Sequence, residues 1–431
     1  MNEIQKAEAI LKKASGRGIV PGLSRITALL HLMGDPQEGI PVIHVSGTNG
    51  KGSFGAMLCS VLTSAGYRTG SFSSPALTGV TDGFRINCRE INGAVFAEEI
   101  VRTSEFCDKM DDKPTEFEML TAAAYNIFAR EKCDIAVVEC GLGGDEDSTN
   151  VISSPLLSVI TNVRLDHCGI LGDTPAEIAS HKAGIIKPGR PVFYGGNRDE
   201  AYEVIRESAE MLGSELITPE KADIRLISET LDGTVFAYNG REYRLSLLGS
   251  YQLENVRNVL VCVDILRSLG LSVPEEAISR GLADVKWHGR FELLSREPVV
   301  IADGAHNPDG ITSAAESIRR YFGENGIALL IGVMADKDYF CYPEILGGLI
   351  AKVFAVKPAN KRSLDSAALA EVFASHGVEA EAYGELAEGV RAAYEYACER
   401  GVPLVALGSL YMYREFTEAL ADARKNADEK K

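Results

Sequence analysis

The chain has 431 residues, 45% of them apolar and 24% charged, with 44 Lys plus Arg against 61 Asp plus Glu and a formal charge of −17. That length exceeds one ordinary hydrophobic core, so two or three domains are expected. The negative balance disfavours a nucleic-acid or membrane-surface role, and no apolar run reaches the roughly 18 residues that a membrane span needs.

Met1–Leu11 reads as a polar amphipathic helix, without the basic-then-apolar order of a signal peptide. Nine cysteines (Cys59, Cys88, Cys107, Cys133, Cys140, Cys168, Cys262, Cys341, Cys398) form no C-x-x-C pair. Scattered and odd in number, they fit a reduced cytoplasm, where they act as small hydrophobes rather than zinc ligands.

Pro41–Val45 is an apolar strand, Gly47–Ser53 a glycine-rich turn, and Lys51–Ala65 a helix with Phe54, Met57, Leu58, Val61 and Leu62 on one face. Arg68–Phe72 is a strand, followed by a polar hairpin-like stretch to Ile91 and helices over Ala97–Lys109 and Glu116–Arg130. Thr115 and Glu118 have capping-box spacing at the start of the latter. Asp134–Glu139 and Leu156–Thr161 are buried-type strands, so this half should form a mostly parallel sheet covered on both faces. Ala222–Leu248 changes character. Two short β runs with turn signals at Leu231-Asp232-Gly233 and Asn239-Gly240 predict a small antiparallel appendage. Helices follow over Leu253–Leu269 and Pro274–Ala283.

A second βα series starts after Arg290. Strands are expected at Pro298–Ala302, Ile327–Val333, Val353–Val356 and Pro403–Leu407. Helices are expected at Gly310–Phe322, Tyr339–Ile350, Ser366–Ser375, Glu385–Arg400 and Thr417–Lys425. The Lys425–Lys431 tail reads as a frayed helix end. The predicted architecture is α/β: a P-loop-type, mostly parallel sheet domain over residues 1–290 with the antiparallel appendage, then a smaller Rossmann-like α/β domain over residues 297–431.

The chemistry concentrates at strand ends. In Gly47-Thr48-Asn49-Gly50-Lys51-Gly52-Ser53 a strand runs through glycines into a helix, so backbone N–H groups and the helix N-terminus can crowd around phosphate. Lys51 would sit on the β/γ-phosphates, and Thr48 or Ser53 could approach a metal. The strict P-loop pattern fails, because Gly52 follows Lys51 where Ser or Thr is expected. By pattern alone, a glycine-rich turn with a surface lysine is the competing reading. Glu139 ends a buried strand at the carboxyl edge where α/β sheets bind ligands, and Mg²⁺ needs only one or two protein carboxylates. His167 follows the next strand and can reach that edge; alone it would pass for an ordinary loop histidine.

The glycine-rich turn is similar to the variant P-loop of the Mur ligases, and from there the resemblance spreads in order. It covers Glu118-Met119-Leu120-Thr121, Glu139-Cys140-Gly141-Leu142-Gly143-Gly144, Asp147-Ser148-Thr149-Asn150, Thr161-Asn162-Val163-Arg164-Leu165-Asp166-His167 and His181-Lys182-Ala183-Gly184. It continues through Gly249-Ser250-Tyr251-Gln252-Leu253-Glu254-Asn255, Trp287-His288-Gly289-Arg290, Asp303-Gly304-Ala305-His306-Asn307-Pro308, Asp336-Lys337-Asp338 and Gly408-Ser409-Leu410-Tyr411. The chain resembles the folylpolyglutamate synthase/dihydrofolate synthase branch of the Mur ligase superfamily.

That resemblance implies an ATP-dependent acid–amino-acid ligase of tetrahydrofolate synthase or dihydrofolate synthase type. Its substrates would be ATP, L-glutamate and a folate or dihydropteroate. It implies two Mg²⁺ held by Ser74, Glu139 and His167, a carbamylated Lys182 facing them, and a potassium ion. Gly47 to Ser53 would cradle the phosphates, and Gln252 and Asn255 would offer amides to adenine. Arg290 would clamp phosphate, with Asp303 and His306 near the ribose, phosphate and incoming amino acid; Lys51, Lys182, His167 and Arg290 would form the catalytic set. Asp147, Phe84, His306 and Ser409 are candidates on the acyl and glutamate side, with Lys337 and Asp338 as weaker ones. Phe84 reads either as cover for a pterin ring or as packing.

The chain departs from the family where the acyl substrate is expected. Ser73-Ser74-Pro75 is followed by Ala76 in place of histidine, the Glu-Arg pair reads Asp82-Gly83, and Asp145-Glu146 replaces a cation by two anions. The readings that stay open are a folate ligase, a Mur-type ligase joining a different carboxylate to an amino acid, and a nucleotide-binding homologue without catalysis. A plain P-loop ATPase or kinase is the remaining one. A cytoplasmic monomer with no nucleic-acid or membrane partner is expected.

Overall fold

The computed structural model describes residues 2–18, 20–167 and 169–429; Met1, Ile19, Cys168 and the Lys430-Lys431 end of the expected tail lie outside the described residues. The chain divides into two compact units, one made of Met1–Ile224, Tyr238–Tyr243 and Glu254–Val285, the other of Arg225–Ala237, Arg244–Leu253 and Lys286–Lys431. No helix of the described residues is long and apolar enough to cross a membrane.

The first unit is built on an eight-stranded sheet: β1 (Val42–Ser46), β2 (Thr69–Phe72), β3 (Phe84–Ile86), β4 (Arg89–Glu90), β5 (Ile135–Glu139), β6 (Leu157–Ile160), β7 (Val192–Tyr194) and β8 (Leu216–Ile217). The order is β4-β3-β2-β5-β1-β6-β7-β8. Strands β2 and β5–β8 run parallel with β1, and β3 and β4 pair antiparallel at one edge. All five residues of β1 are buried, as a central parallel strand covered on both faces requires.

Its helices are α1 (Glu3–Ser15), α2 (Ser24–Leu32), α3 (Lys51–Ser64), α4 (Gly93–Cys107), α5 (Glu116–Arg130), α6 (Pro175–Ala183), α7 (Glu200–Met211), α8 (Gln252–Ser268), whose first two residues belong to the other unit, and α9 (Glu275–Asp284). The Thr115–Glu118 capping box forms with both of its hydrogen bonds. Helix α3 buries the expected stripe of Phe54, Met57, Leu58, Val61 and Leu62, roughly 8–15 kcal/mol of gross hydrophobic transfer. It is also covered on its other side. Ser60 Oγ donates to the Gly281 carbonyl at 2.7 Å, and a Cβ on Gly281 would stand 2.6 Å from the Val61 Cα. Only glycine lets α9 approach this closely. The helix that begins at the glycine-rich turn is thereby fixed from two sides.

A three-stranded antiparallel sheet follows: β9 (Ile224–Thr230), β10 (Gly233–Tyr238) and β11 (Arg241–Leu245). Most of β9 and β10 groups with the second unit, where Tyr321 donates to Glu229 at 3.2 Å and Leu231 packs against the core.

The second unit carries β12 (Glu292–Arg296), β13 (Val299–Ala302), β14 (Ile327–Ile331), β15 (Ile350–Ala355), β16 (Ala380–Ala382) and β17 (Leu404–Leu407), in the order β12-β13-β17-β14-β15-β16. All pairings but β12–β13 are parallel. Helices α10 (Pro308–Phe322), α11 (Tyr342–Leu346), α12 (Ser366–Ser375), α13 (Leu386–Arg400) and α14 (Tyr413–Glu429) complete it. The helix expected over Tyr339–Ile350 shrinks to α11 and a 3₁₀ turn. Pro343 sits in its first turn and Gly347-Gly348 end it, leaving too few residues to propagate. Helices α2 and α7, strands β7, β8 and β16, and the β12 hairpin arm add to the expected elements.

Candidate active site

Parallel strands deliver their following segments to one edge of a sheet. In the first unit, β2, β5, β1 and β6 are neighbours. They bring Ser74, Glu139, the Gly47–Gly50 turn and the Asn162–His167 segment to the carboxyl side together. This is where open α/β sheets hold ligands.

The turn is held from below. Thr48 donates its amide to the Asn162 carbonyl at 3.0 Å, and Asn49 donates its amide to Asn162 Oδ1 at 3.0 Å. Thr161 Oγ1 donates to the Asn49 carbonyl at 2.7 Å. Thr48 Oγ1 both donates to the Arg164 carbonyl and accepts the Arg164 amide. Gly47 has φ +145° and a Cβ there would stand 1.9 Å from Thr161 Oγ1; Gly50 has φ +84° and its Cβ would stand 2.5 Å from Asn255 Oδ1. Both glycines are thus dictated by sterics. Because Thr48 and Asn49 spend their amides on Asn162, the anion-binding capacity moves to the first turn of α3. There the amides of residues 51–53 have no carbonyl four residues earlier within the helix, and Gly50, the N-cap residue, supplies no side-chain cap. Asn162 and Arg164 lie in a motif the sequence flagged, but their clamping of the turn shows only in the fold.

Two lysines converge on this turn. Lys51 Nζ donates to the Gly47 carbonyl at 3.1 Å and the Thr48 carbonyl at 3.3 Å, and lies 4.0 Å from Glu139 Oε1. Lys182, in the last turn of α6, donates to the same Gly47 carbonyl at 2.9 Å and is 3% exposed. Burial, reinforced by the Lys51 charge, lowers the Lys182 amine to about 7. The sequence reading of Lys182 as a functional lysine thus meets a buried, easily neutralised amine.

Beneath the turn lies a polar cluster in which residues of two motifs meet His44, for which the sequence suggested no role. His44 Nε2 is 2.8 Å from Thr149 Oγ1 and 3.1 Å from Cys140 Sγ. Thr149 Oγ1 donates to Asp147 Oδ1 at 2.5 Å, and Leu142 donates its amide to Asp147 Oδ2 at 2.8 Å. Ser46 Oγ donates to the Gly143 carbonyl at 2.6 Å. Full burial drives His44 down to about 3, with Lys187 adding to the shift, so the imidazole is neutral. The cluster fastens the loop after Glu139 onto β1. Asp147, expected on the substrate side, is one of its buried members, and burial raises its carboxyl against the hydrogen bonds that lower it. Its carboxylate braces the loop rather than facing a substrate.

For a divalent ion, the first unit offers the Glu139 carboxylate and the Ser74 hydroxyl at the ends of adjacent strands. These hard oxygen donors suit Mg²⁺, which keeps several waters. His167 follows β6 on an exposed loop, with φ +54°, its amide donating to Asp166 Oδ1 at 2.8 Å. Among the described residues no three His, Cys, Asp or Glu side chains gather as a metal cage. Asn255 is buried against the turn at Gly50, and Ser53 and Gln252 are buried too.

In the second unit, Asp303 follows β13. Its Oδ2 accepts the Tyr251 hydroxyl at 2.6 Å and the Phe291 amide at 2.8 Å, and its Oδ1 accepts the Ala305 amide at 2.7 Å. The carboxylate ties together two segments, the one before β12 that carries Arg290 and the one after β13 that carries His306. His306 Nδ1 is 2.7 Å from the Gly304 carbonyl. Arg290 Nη1 is 3.4 Å from the Gly289 carbonyl. Ser409 follows β17 and accepts the Tyr411 amide at 3.2 Å. His306, Ser409 and Lys337 all follow carboxyl ends of parallel strands of this sheet.

The acyl-side candidates fare differently. Phe84 is 2% exposed and its ring lies 5.1 Å from that of Phe72 and 5.3 Å from that of Phe96, so it is a core residue and offers no face to a bound ring. Asp82 pairs with Arg85 and accepts the Leu77 amide at 2.8 Å, bracing the turn after Ser74. Asp145 faces His181 Nδ1 at 2.9 Å.

Comparison with known proteins returns one family along almost the whole chain. Residues 45–263 match the Mur ligase middle domain and residues 289–410 the Mur ligase glutamate ligase domain. The chain is 36% identical to the dihydrofolate synthase/folylpolyglutamate synthase of Bacillus subtilis over 75% of its length and 77% of the relative's. It is 33% identical to the folylpolyglutamate synthase of Lacticaseibacillus casei over 90% of its length and 92% of the relative's. Among solved structures, the folylpolyglutamate synthase of Mycobacterium tuberculosis complexed with ADP superposes with a TM-score of 0.89 at 27% identity, covering 97% of this chain and 98% of the other.

Proposed function

Since the chain belongs to the Mur ligase family, in its folylpolyglutamate synthase/dihydrofolate synthase branch, we propose that it joins L-glutamate to a folate or dihydropteroate carboxylate at the expense of ATP. It is an ATP-dependent acid–amino-acid ligase. The observation that carries the nucleotide assignment is Lys51 set over the Gly47 carbonyl at the start of a helix whose N-cap glycine supplies no side-chain cap. A bound triphosphate supplies the anion that such a concentration of positive potential lacks.

The reaction has two steps. A substrate carboxylate oxygen attacks the γ-phosphorus of ATP, the bond to the β-bridging oxygen breaks, and ADP leaves. The amino group of glutamate then attacks the acyl phosphate, phosphate leaves, and the amine gives up its proton as the amide forms. Lys51 places a fixed cation beside the transferring phosphoryl group, and the α3 amides add dipoles that need no reorganisation. Arg290, with its planar fork of donors, suits a second phosphate contact. Divalent cation held by Glu139, Ser74 and His167 would neutralise phosphate oxygens when bound. The buried amine of Lys182, partly neutral at physiological pH, can capture CO₂ as a carbamate, which would turn the cation into an anion facing that ion. None of these steps calls on the potassium ion. His306 and Ser409 are assigned to the incoming glutamate. We read the enzyme as a cytoplasmic monomer.

The pairing of Asp145 with His181, where the family has a cation, favours a second reading: a ligase for a carboxylate other than a pteroate. Phosphate release from ATP and Mg²⁺ with glutamate, measured with dihydropteroate, tetrahydrofolate or neither, separates them. Release that requires a folate-type acceptor supports the first reading. Silence with both acceptors but turnover with another carboxylate supports the second, and no release with any carboxylate overturns both.

A further inference from the structure

In the second unit the strands β17, β14 and β15 are adjacent and parallel, about 4.8 Å apart. The segments that follow them form one continuous carboxyl edge: Ser409–Tyr411 after β17, residues 332–340 after β14, and residues 356–362 after β15. On a chain of net charge −17, the last segment, Lys357-Pro358-Ala359-Asn360-Lys361-Arg362, carries three cations and no acid. All three are exposed. Arg362 stands 3.4 Å from Asp336, and its guanidinium lies 5.9 Å from the ring of the half-exposed Tyr411.

The cations are held in place by backbone. Ala335 donates its amide to the Arg362 carbonyl at 2.7 Å and Leu364 donates its amide to the Val333 carbonyl at 2.9 Å. Ser363 Oγ donates to the Pro358 carbonyl at 2.8 Å, and Arg362 donates its amide to Asn360 Oδ1 at 2.9 Å. The two loops are laced together, so a ligand meets charges whose ordering cost is already met in part. Asp336 of the β14 segment stands against Arg362, and Asp338 lies two residues further along the same segment, while Asp365 follows the cations in sequence. Interspersed acids and a loop without glycine do not suit a dense polyphosphate, which is cradled by converging backbone amides; Pro358 has no amide hydrogen at all. They suit single negative charges spaced along a chain.

We propose that this edge holds the distal carboxylates of an oligo-γ-glutamyl chain, with Lys357, Lys361 and Arg362 as its cations and Tyr411 as a platform beside them. This rests on the folate-ligase reading: an enzyme that adds glutamate to glutamyl products meets a chain with one carboxylate per unit. Retaining that chain raises the effective concentration of the product for the next addition.

The test is calorimetric titration of the full-length protein with γ-linked triglutamate, free glutamate and inorganic triphosphate, at low and moderate salt. The wild type is expected to bind triglutamate more tightly than glutamate, with affinity falling as salt rises. The triple variant Lys357→Ala, Lys361→Ala, Arg362→Ala is expected to weaken triglutamate at least tenfold and free glutamate less than twofold. Asp336→Asn, which frees Arg362, is expected to tighten triglutamate two- to threefold, a gain that misfolding cannot mimic. No saturable triglutamate binding, a triple variant that binds as the wild type does, or binding confined to triphosphate would each overturn the proposal. The titration needs no turnover, so failure of the ligase reading appears separately, as absence of folate-dependent phosphate release in the wild type.

Discussion

Replacing Lys182 by Met tests the buried amine quantitatively. The folded protein holds Lys182 at about 7, against an ordinary value of 10.5. Between those values the unfolded chain binds one proton that the folded chain does not. Stability therefore rises with pH across that window, by about 1.4 kcal/mol per pH unit. Below pH 7 the amine is charged in both states, and the folded protein carries the full penalty, of order 5 kcal/mol. Above 10.5 the penalty is gone. Met fills a similar volume and does not ionise. The Gly47 carbonyl loses the Lys182 donor but keeps Lys51 at 3.1 Å, a loss of about 1–1.5 kcal/mol. The variant should therefore be more stable than the wild type near pH 7.5, by roughly 2–3 kcal/mol, the penalty of about 4 kcal/mol remaining at that pH less the lost hydrogen bond. That advantage should shrink by roughly 2–3 kcal/mol on moving to pH 9.5. Urea titrations of both proteins followed by far-ultraviolet circular dichroism, every half pH unit from 6.5 to 9.5, measure the difference directly. A difference that stays flat with pH, or that grows, refutes the burial argument. Ligase activity should be lost in the same variant.

Three further perturbations probe other parts of the structure. Lys51→Ala should lower kcat for phosphate release by about 10²–10³-fold, the usual loss for one preorganised donor at a transition state; wild-type rates would undo the phosphate assignment. Gly50→Ala should destabilise the first unit by about 1–2 kcal/mol, since L-residues resist positive φ, and weaken ATP, because the new methyl meets Asn255 Oδ1 at 2.5 Å; equilibrium dialysis with ATP and a thermal melt report both effects. Asp303→Asn turns one carboxylate oxygen into a donor facing either Tyr251 and Phe291 or Ala305, each of which already donates there. A loss of about 1–3 kcal/mol is expected from the unsatisfied group, read as a lower melting temperature. A neutral result would mean that the loop rearranges around the amide.

The glycine-rich turn, the alternation of strands and helices, and the Thr115 capping box were legible because they depend on neighbours in sequence. Glycine reports backbone sterics, apolar runs report buried strands, and a cap reports its own first turn. What the tertiary structure decided depends on partners far apart in the chain. Gly47 meets Lys182 across 135 positions, and His44 meets Thr149 across 105. The depressed Lys182 amine, the neutral His44 beneath the turn and the loop-bracing carboxylates of Asp147 and Asp303 are all set by burial and by those partners. Phe84 makes the same point from the apolar side: in sequence an aromatic on a polar stretch has two readings, and only the packing of Phe72 and Phe96 around its ring selects one. Local chemistry fixes which residues can do a task, while desolvation and long-range pairing fix which of them are left in a state to do it.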